Sequence, residues 1–106
     1  MPIISRDTPP QLVLSGEIDI ATVEDLRRAG SRCLDAVEAS APLEVDMSAV
    51  SFIDSSGLGA LVSIRRLAES AGHATVLVGL SPSIARLLEL TGLRDSFGTR
   101  RGGSET

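Results

Sequence analysis

Phe52-Ile53-Asp54-Ser55-Ser56-Gly57-Leu58-Gly59 decides the fold, because apolar alternation stops there and a helical period begins. Upstream, Leu43, Val45 and Met47 alternate with Glu44 and Asp46, a period of two that predicts a strand running through Val50 to Phe52-Ile53. Downstream, Leu58, Leu61, Ile64 and Ala68 recur at threes and fours, with Arg65, Arg66 and Glu69 on the opposite side. Ala71-Gly72 closes this helix. Between the two lie a carboxylate and two hydroxyls at a helix start, where unpaired N–H groups and the macrodipole favour negative charge. A serine at such a junction is an ordinary N-cap. The same position also tolerates a phosphate.

The pattern repeats on both sides. Ile3–Arg6 and Gln11–Ser15 read as two short strands around an Asp7-Thr8-Pro9-Pro10 turn. Thr22-Val23-Glu24-Asp25 fits a capping box, with Asp25 returning to the Thr22 N–H. Val23, Leu26, Gly30, Cys33 and Val37 then mark the inner face of a helix from Thr22 to about Ala39. After the second helix, Ala74–Val78 is an uncharged run suited to a strand buried in a parallel sheet. Ser81-Pro82 supplies an N-cap and a first-turn proline, Ile84, Leu87, Leu88 and Leu90 the apolar side, and Gly92 a left-handed terminus. Asp46 is expected to bond the backbone of the turn that follows it.

Strand–helix alternation predicts an α/β domain with a largely parallel, mixed sheet of four to five strands and three to four helices. Residues 1–97 form one domain, and Gly98–Thr106, which carries no pattern, is expected to be a disordered tail. In such sheets functional groups gather beyond the carboxyl ends of the strands. That places Glu17, Asp19 and Thr22, then Asp54, Ser55 and Ser56, then Ser81 and Ser83 on one rim.

Composition removes several functions. The chain of 106 residues has a net charge of −4 and two aromatic residues, both phenylalanine. The basic residues are all arginine and scattered along the chain, and no stacking platform exists, so nucleic acid is not an expected partner. Met1–Asp7 lacks a signal-peptide apolar segment and no run reaches membrane-spanning length, so a cytoplasmic protein without membrane contact is expected. The single Cys33 falls on a helix's apolar stripe and reads as a buried thiol.

Serine hydrolysis lacks both the Gly-x-Ser-x-Gly elbow and a base, since the lone His73 follows the helix that the serines precede. Gly57-Leu58-Gly59 lacks the third glycine of a dinucleotide fingerprint, and without any lysine no P-loop is present. These glycines are expected to let the helix start pack closely on backbone or partner. Asp19, Asp46 and Asp54 match no metal-binding loop. No metal, cofactor or catalytic group emerges. What survives is a binding surface that one hydroxyl could switch. A phosphoserine adds about −1.5 to −2 charges. Against a partner carboxylate at ~4 Å, each unit charge pair is worth roughly 4 kcal/mol at an effective dielectric of about 20.

Leu14-Ser15-Gly16-Glu17-Ile18-Asp19, Val45-Asp46-Met47, the Phe52–Gly59 block and Ser81-Pro82…Leu88-Glu89-Leu90-Thr91-Gly92-Leu93 resemble, in order and spacing, the bacterial STAS-domain anti-sigma factor antagonists. The likeness spans about Leu12 to Phe97. It implies that the unphosphorylated chain binds an anti-sigma factor, a histidine-kinase-like ATPase, and frees a sigma factor. That ATPase would use ATP and Mg²⁺ to phosphorylate Ser55, ending the complex, and a PP2C-type phosphatase would restore it. The resemblance makes this chain the substrate, with Asp19 and Asp54 beside the acceptor and Ser56 as neighbour and helix cap. Thr22, Gly57, Leu58, Gly59 and Ser81 complete the expected partner-binding set. Many family members carry a further C-terminal helix that has no counterpart here. If that helix covers apolar surface, its loss leaves a patch exposed or covered by a second copy in a weak homodimer. The alternative reading is a constitutive scaffold subunit of the same fold, in a lipid-transport ATPase or a stress-sensing assembly.

Overall fold

The computed structural model describes residues 3–7 and 10–100, with side-chain surroundings from Gln11 onward. The chain runs β1 (Ile3–Asp7), β2 (Pro10–Ile18), α1 (Val23–Ala36), β3 (Leu43–Ile53), α2 (Ser55–Ser70), β4 (Thr75–Val78), α3 (Pro82–Leu90), a 3₁₀ turn (Arg94–Ser96) and β5 (Gly98–Arg100). The five strands lie in chain order, β1-β2-β3-β4-β5. β1 and β2 form the expected antiparallel hairpin, whose turn residues Thr8 and Pro9 lie outside the described residues; every later pairing is parallel. Right-handed crossovers that each step to the next strand lay their helices on one face. Accordingly α1, α2 and α3 contribute to a single apolar core with the inward residues of β2, β3 and β4.

The inward alternation of β3 is the one its sequence announces: Leu43, Val45 and Met47 are fully buried, and Glu44 and Asp46 half-buried. Beyond Met47 the buried positions become every third residue, Val50 and Ile53. Register irregularities against β2 absorb that change. Gly30 of α1 lets α2 approach so closely that a Cβ would stand 2.9 Å from Ile64 Cδ1. Cys33 is buried, as its stripe position requires.

Several expectations are corrected. Helix α1 ends at Ala36 rather than about Ala39, because Val37 turns extended. Thr22 does not form a capping box: its backbone is helical (φ −108°, ψ −2°), so its hydroxyl faces back and accepts from the Asp19 N–H at 3.0 Å. An N-cap side chain needs an extended backbone to reach forward. Asp25 instead faces Arg28 at 3.6 Å. Leu90, expected on the apolar side of α3, is 72% exposed, because the helix ends at that residue; Ile84 and Leu88 are buried in the core and Leu87 packs partly buried against it. His73 lies in the loop after α2, where it is buried and its Nδ1 donates to the Ala41 carbonyl at 2.6 Å.

The C-terminal segment also departs from its reading. Gly98–Arg100 are an edge strand, not patternless tail, while residues 101–106 lie outside the described residues. Buried Phe97 anchors the entry, the Gly79 N–H donates to the Arg100 carbonyl at 2.9 Å, and the Arg100 guanidinium pairs with Glu44. All three strand residues are exposed, so no apolar alternation could have announced them.

Gly79 is in the left-handed region (φ +75°), where an added Cβ would meet Ser48 Cβ at 2.8 Å. Gly79→Ala should therefore lose about 1–3 kcal/mol of stability by denaturant unfolding. Unchanged stability would mean that the β4–α3 connection has room to shift.

Candidate functional site

The ends of β2 and β3 are locked at one level. Ile18 pairs with Ile53, and the Asp54 N–H donates to the Ile18 carbonyl at 3.2 Å. The two βα turns, Asp19–Thr22 and Asp54–Ser56, thus leave the sheet side by side, each opening a helix. Each is closed by its own aspartate. Asp19 Oδ1 accepts from the Ala21 N–H at 3.0 Å, and Asp54 Oδ1 accepts from the Gly57 N–H at 3.0 Å.

Asp54 is the N-cap of α2, with the extended backbone that role needs. This corrects the assignment of the cap to a serine. Ser55 and Ser56 are instead the first two helical residues, and no hydrogen bond ties either hydroxyl to the other described residues. Ser55 is exposed and Ser56 half-buried. Their backbone N–H groups have no acceptor within the helix. The first turn of α2 contains no acidic residue, so its positive end is offset only by the Asp54 cap.

Two glycines that look equivalent in the sequence differ. A Cβ at Gly57 would lie 2.7 Å from Ile53 Cγ1 and 2.8 Å from the Ile18 carbonyl oxygen. Only glycine lets α2 begin directly on the β2–β3 junction. Gly59 is exposed and a Cβ there would meet nothing within 4 Å. The close-packing expectation therefore holds toward the fold at Gly57 and not at Gly59. Leu58 is buried and anchors the first turn.

Ser81 does not join this group. β4 ends at Val78, opposite Asp46, seven positions before Ile53, so the following loop lies level with Ser48, against which Gly79 packs. There the Ser81 hydroxyl caps α3 by accepting from the Ile84 N–H at 3.3 Å. Asp46 bonds local backbone, accepting from the Ser48 N–H and hydroxyl at 2.9 and 2.6 Å, but it does so within β3 and not at a following turn. Of the expected rim, then, the register gathers Glu17, Asp19, Thr22, Asp54, Ser55 and Ser56 and leaves Ser81 and Ser83 on another step.

Sequence reasoning passed over Ile20, 77% exposed in the β2–α1 turn, and Phe52, 50% exposed opposite Glu17. A signal existed for Phe52: of two adjacent apolar residues at a strand end, only one can face the core. His73 is remote, since the sixteen residues of α2 separate it from Ser55 by roughly 24 Å. Among the described residues no helix is long and apolar enough to cross a membrane, and no three metal-ligating side chains gather.

An open α/β sheet with sequential strands, helices on one face and twin aspartate-closed turns at its rim is a recognisable architecture. The STAS domain model matches residues 3–104, and the chain belongs to that family. The anti-sigma-B factor antagonist of Listeria monocytogenes is 35% identical over 94 residues, covering 88% of this chain and 81% of the relative. The crystal structure of an anti-sigma factor antagonist from Mycobacterium paratuberculosis is similar with a TM-score of 0.77 and 29% identity, over 92% of this chain and 83% of that one. The Bacillus cell-fate determinant SpoIIAA in its phosphorylated form is similar with a TM-score of 0.67 and 26% identity, over 91% and 84% of the two chains.

Asp54→Ala should lose about 1 kcal/mol of stability through the missing cap, whereas Ser56→Ala should change it by a few tenths at most. Gly57→Ala should lose about 1–3 kcal/mol and Gly59→Ala gain about 0.5–1 kcal/mol, since one is overpacked and the other relieves helix glycine entropy. Denaturant unfolding of the four variants checks both pairs. A serine cap would reverse the first ordering.

Proposed function

We propose that this protein is an anti-sigma factor antagonist. In this reading its unphosphorylated form binds an anti-sigma factor of the histidine-kinase-like ATPase class and so releases a sigma factor in the cytoplasm. Phosphorylation of Ser55 by that ATPase ends the complex, and a PP2C-type phosphatase restores the binding form. The names of its relatives support the antagonist role. The observation that carries the choice of Ser55 is its exposed hydroxyl on the first residue of α2, directly after Asp54, at the sheet end that also carries the Asp19 turn, and engaged by no hydrogen bond among the described residues.

The fold needs nothing from that hydroxyl, because Asp54 already caps the helix. A phosphate there would lie at the helix's positive end, so the domain can carry it without refolding. What changes is the surface: about −1.5 to −2 charges arrive where a partner must come close. Asp19, Thr22, Asp54, Ser56, Gly57, Leu58 and Gly59 set the shape of that surface, either by contact or by holding the two turns. Ser81 is left with a structural role at α3. The chain acts as the substrate of the switch and supplies no catalytic group.

Wild type, Ser55→Ala and Ser55→Glu serve as baits in native lysate, with captured proteins identified by mass spectrometry. A small ATPase of the histidine-kinase-like class should be retained by wild type and the alanine variant and reduced about tenfold or more with glutamate, a loss of at least about 1.4 kcal/mol. Transport or scaffold subunits captured equally by all three baits would replace the switch with a constitutive assembly role.

A further inference from the structure

Two large apolar side chains at the Ser55 end of the sheet have no place in the core. Ile20 stands 77% exposed in the turn whose aspartate sits beside it, and Phe52 is half-exposed at the end of β3, three positions before Ser55. The pairing of Glu17 with Phe52 and of Ile18 with Ile53 brings both turns to the same end of the sheet. Elsewhere in the described residues the large apolar exposures, Leu67 and Leu90, are single residues on different helices. Single exposures need no explanation, but apolar residues grouped at one rim do.

The surroundings of Ile20 and Phe52 are acidic. Glu17 is exposed, Asp19 and Asp54 half-buried, and none of the three takes part in an ion pair among the described residues. Asp19 and Asp54 each engage one oxygen with a backbone N–H, which leaves the other carboxylate oxygen available. By contrast, every arginine–carboxylate pair formed by the described residues joins other residues, on α1, the later turns of α2, the end of α3 and the β3–β5 face. Among the described residues, none of these ion pairs involves Glu17, Asp19 or Asp54.

We infer that Ile20 and Phe52 are the apolar anchors of the partner interface, and that the partner is a protein surface presenting an apolar socket rimmed by arginine or lysine. This rests on the reading of the Ser55 rim as a docking site. The anchors would be desolvated at the centre and the three carboxylates paired at the edge, the usual division between an apolar interface core and a polar rim.

The probe is a display library of short random peptides selected on the immobilised wild-type protein, with Ile20→Asn and Phe52→Asn tested for retained folding by thermal unfolding. Enriched peptides should combine bulky apolar residues with arginine or lysine. They should bind Ile20→Asn about tenfold or more weakly, and should weaken as salt rises. Enrichment of acidic peptides, binding indifferent to Ile20→Asn and Phe52→Asn, or no enrichment would overturn the inference. The lysate capture depends on the Ser55 baits alone, so failure of either reading is seen separately.

Discussion

The short contact among Gly57, Ile18 and Ile53 is the constraint on which the rim depends. β2 and β3 end at the same level, and the Asp54 N–H reaches across to the Ile18 carbonyl. Helix α2 then has to start directly on that junction. With any side chain at position 57 the helix start would be pushed off the sheet, because the nearest atoms are backbone and branched side chain rather than a flexible tip. Everything proposed for the surface follows from this seat. It fixes where Asp54 caps, which residues become the first turn, and how close the Asp19 turn lies to Ser55.

Capping by Asp54 separates two tasks that a serine cap would have merged. Were Ser55 or Ser56 the N-cap, its hydroxyl would be holding a backbone N–H, and phosphorylation would disturb the helix end together with the surface. With the carboxylate in that place, the helix start is secured by a group that a hydroxyl-directed kinase leaves untouched. The hydroxyl of Ser55 can then change its chemistry while the fold stays as it is.

Most of the architecture was legible because it is written in burial. The 2-residue alternation of Leu43, Val45 and Met47 and the 3–4 spacing of Leu58, Leu61, Ile64 and Ala68 reflect faces pressed against one core. Features set by backbone geometry were less so. Whether Thr22 or Asp54 acts as an N-cap depends on φ and ψ at those residues, and the sequence offers a cap-forming side chain at both. The level of Ser81 depends on where β4 stops against β3, a register that no local pattern encodes. β5 escaped because its three residues face solvent and are recruited by neighbours: Phe97 beneath, Gly79 beside and Glu44 across the sheet. Ile20 was overlooked for the opposite reason, an apolar residue whose side chain the core does not claim.

The sequential order of the strands has a consequence for how the domain comes into being. Each strand pairs with the one made just before it, and no strand is inserted later between two others. Loop-closure entropy is therefore met in small steps, one βα unit at a time, which favours rapid folding among parallel α/β domains. During synthesis the sheet can extend by one edge as the chain emerges, with each new helix laid over the strand pair it has just completed. The rim formed by β2, β3 and the start of α2 is complete before β4 and β5 are made.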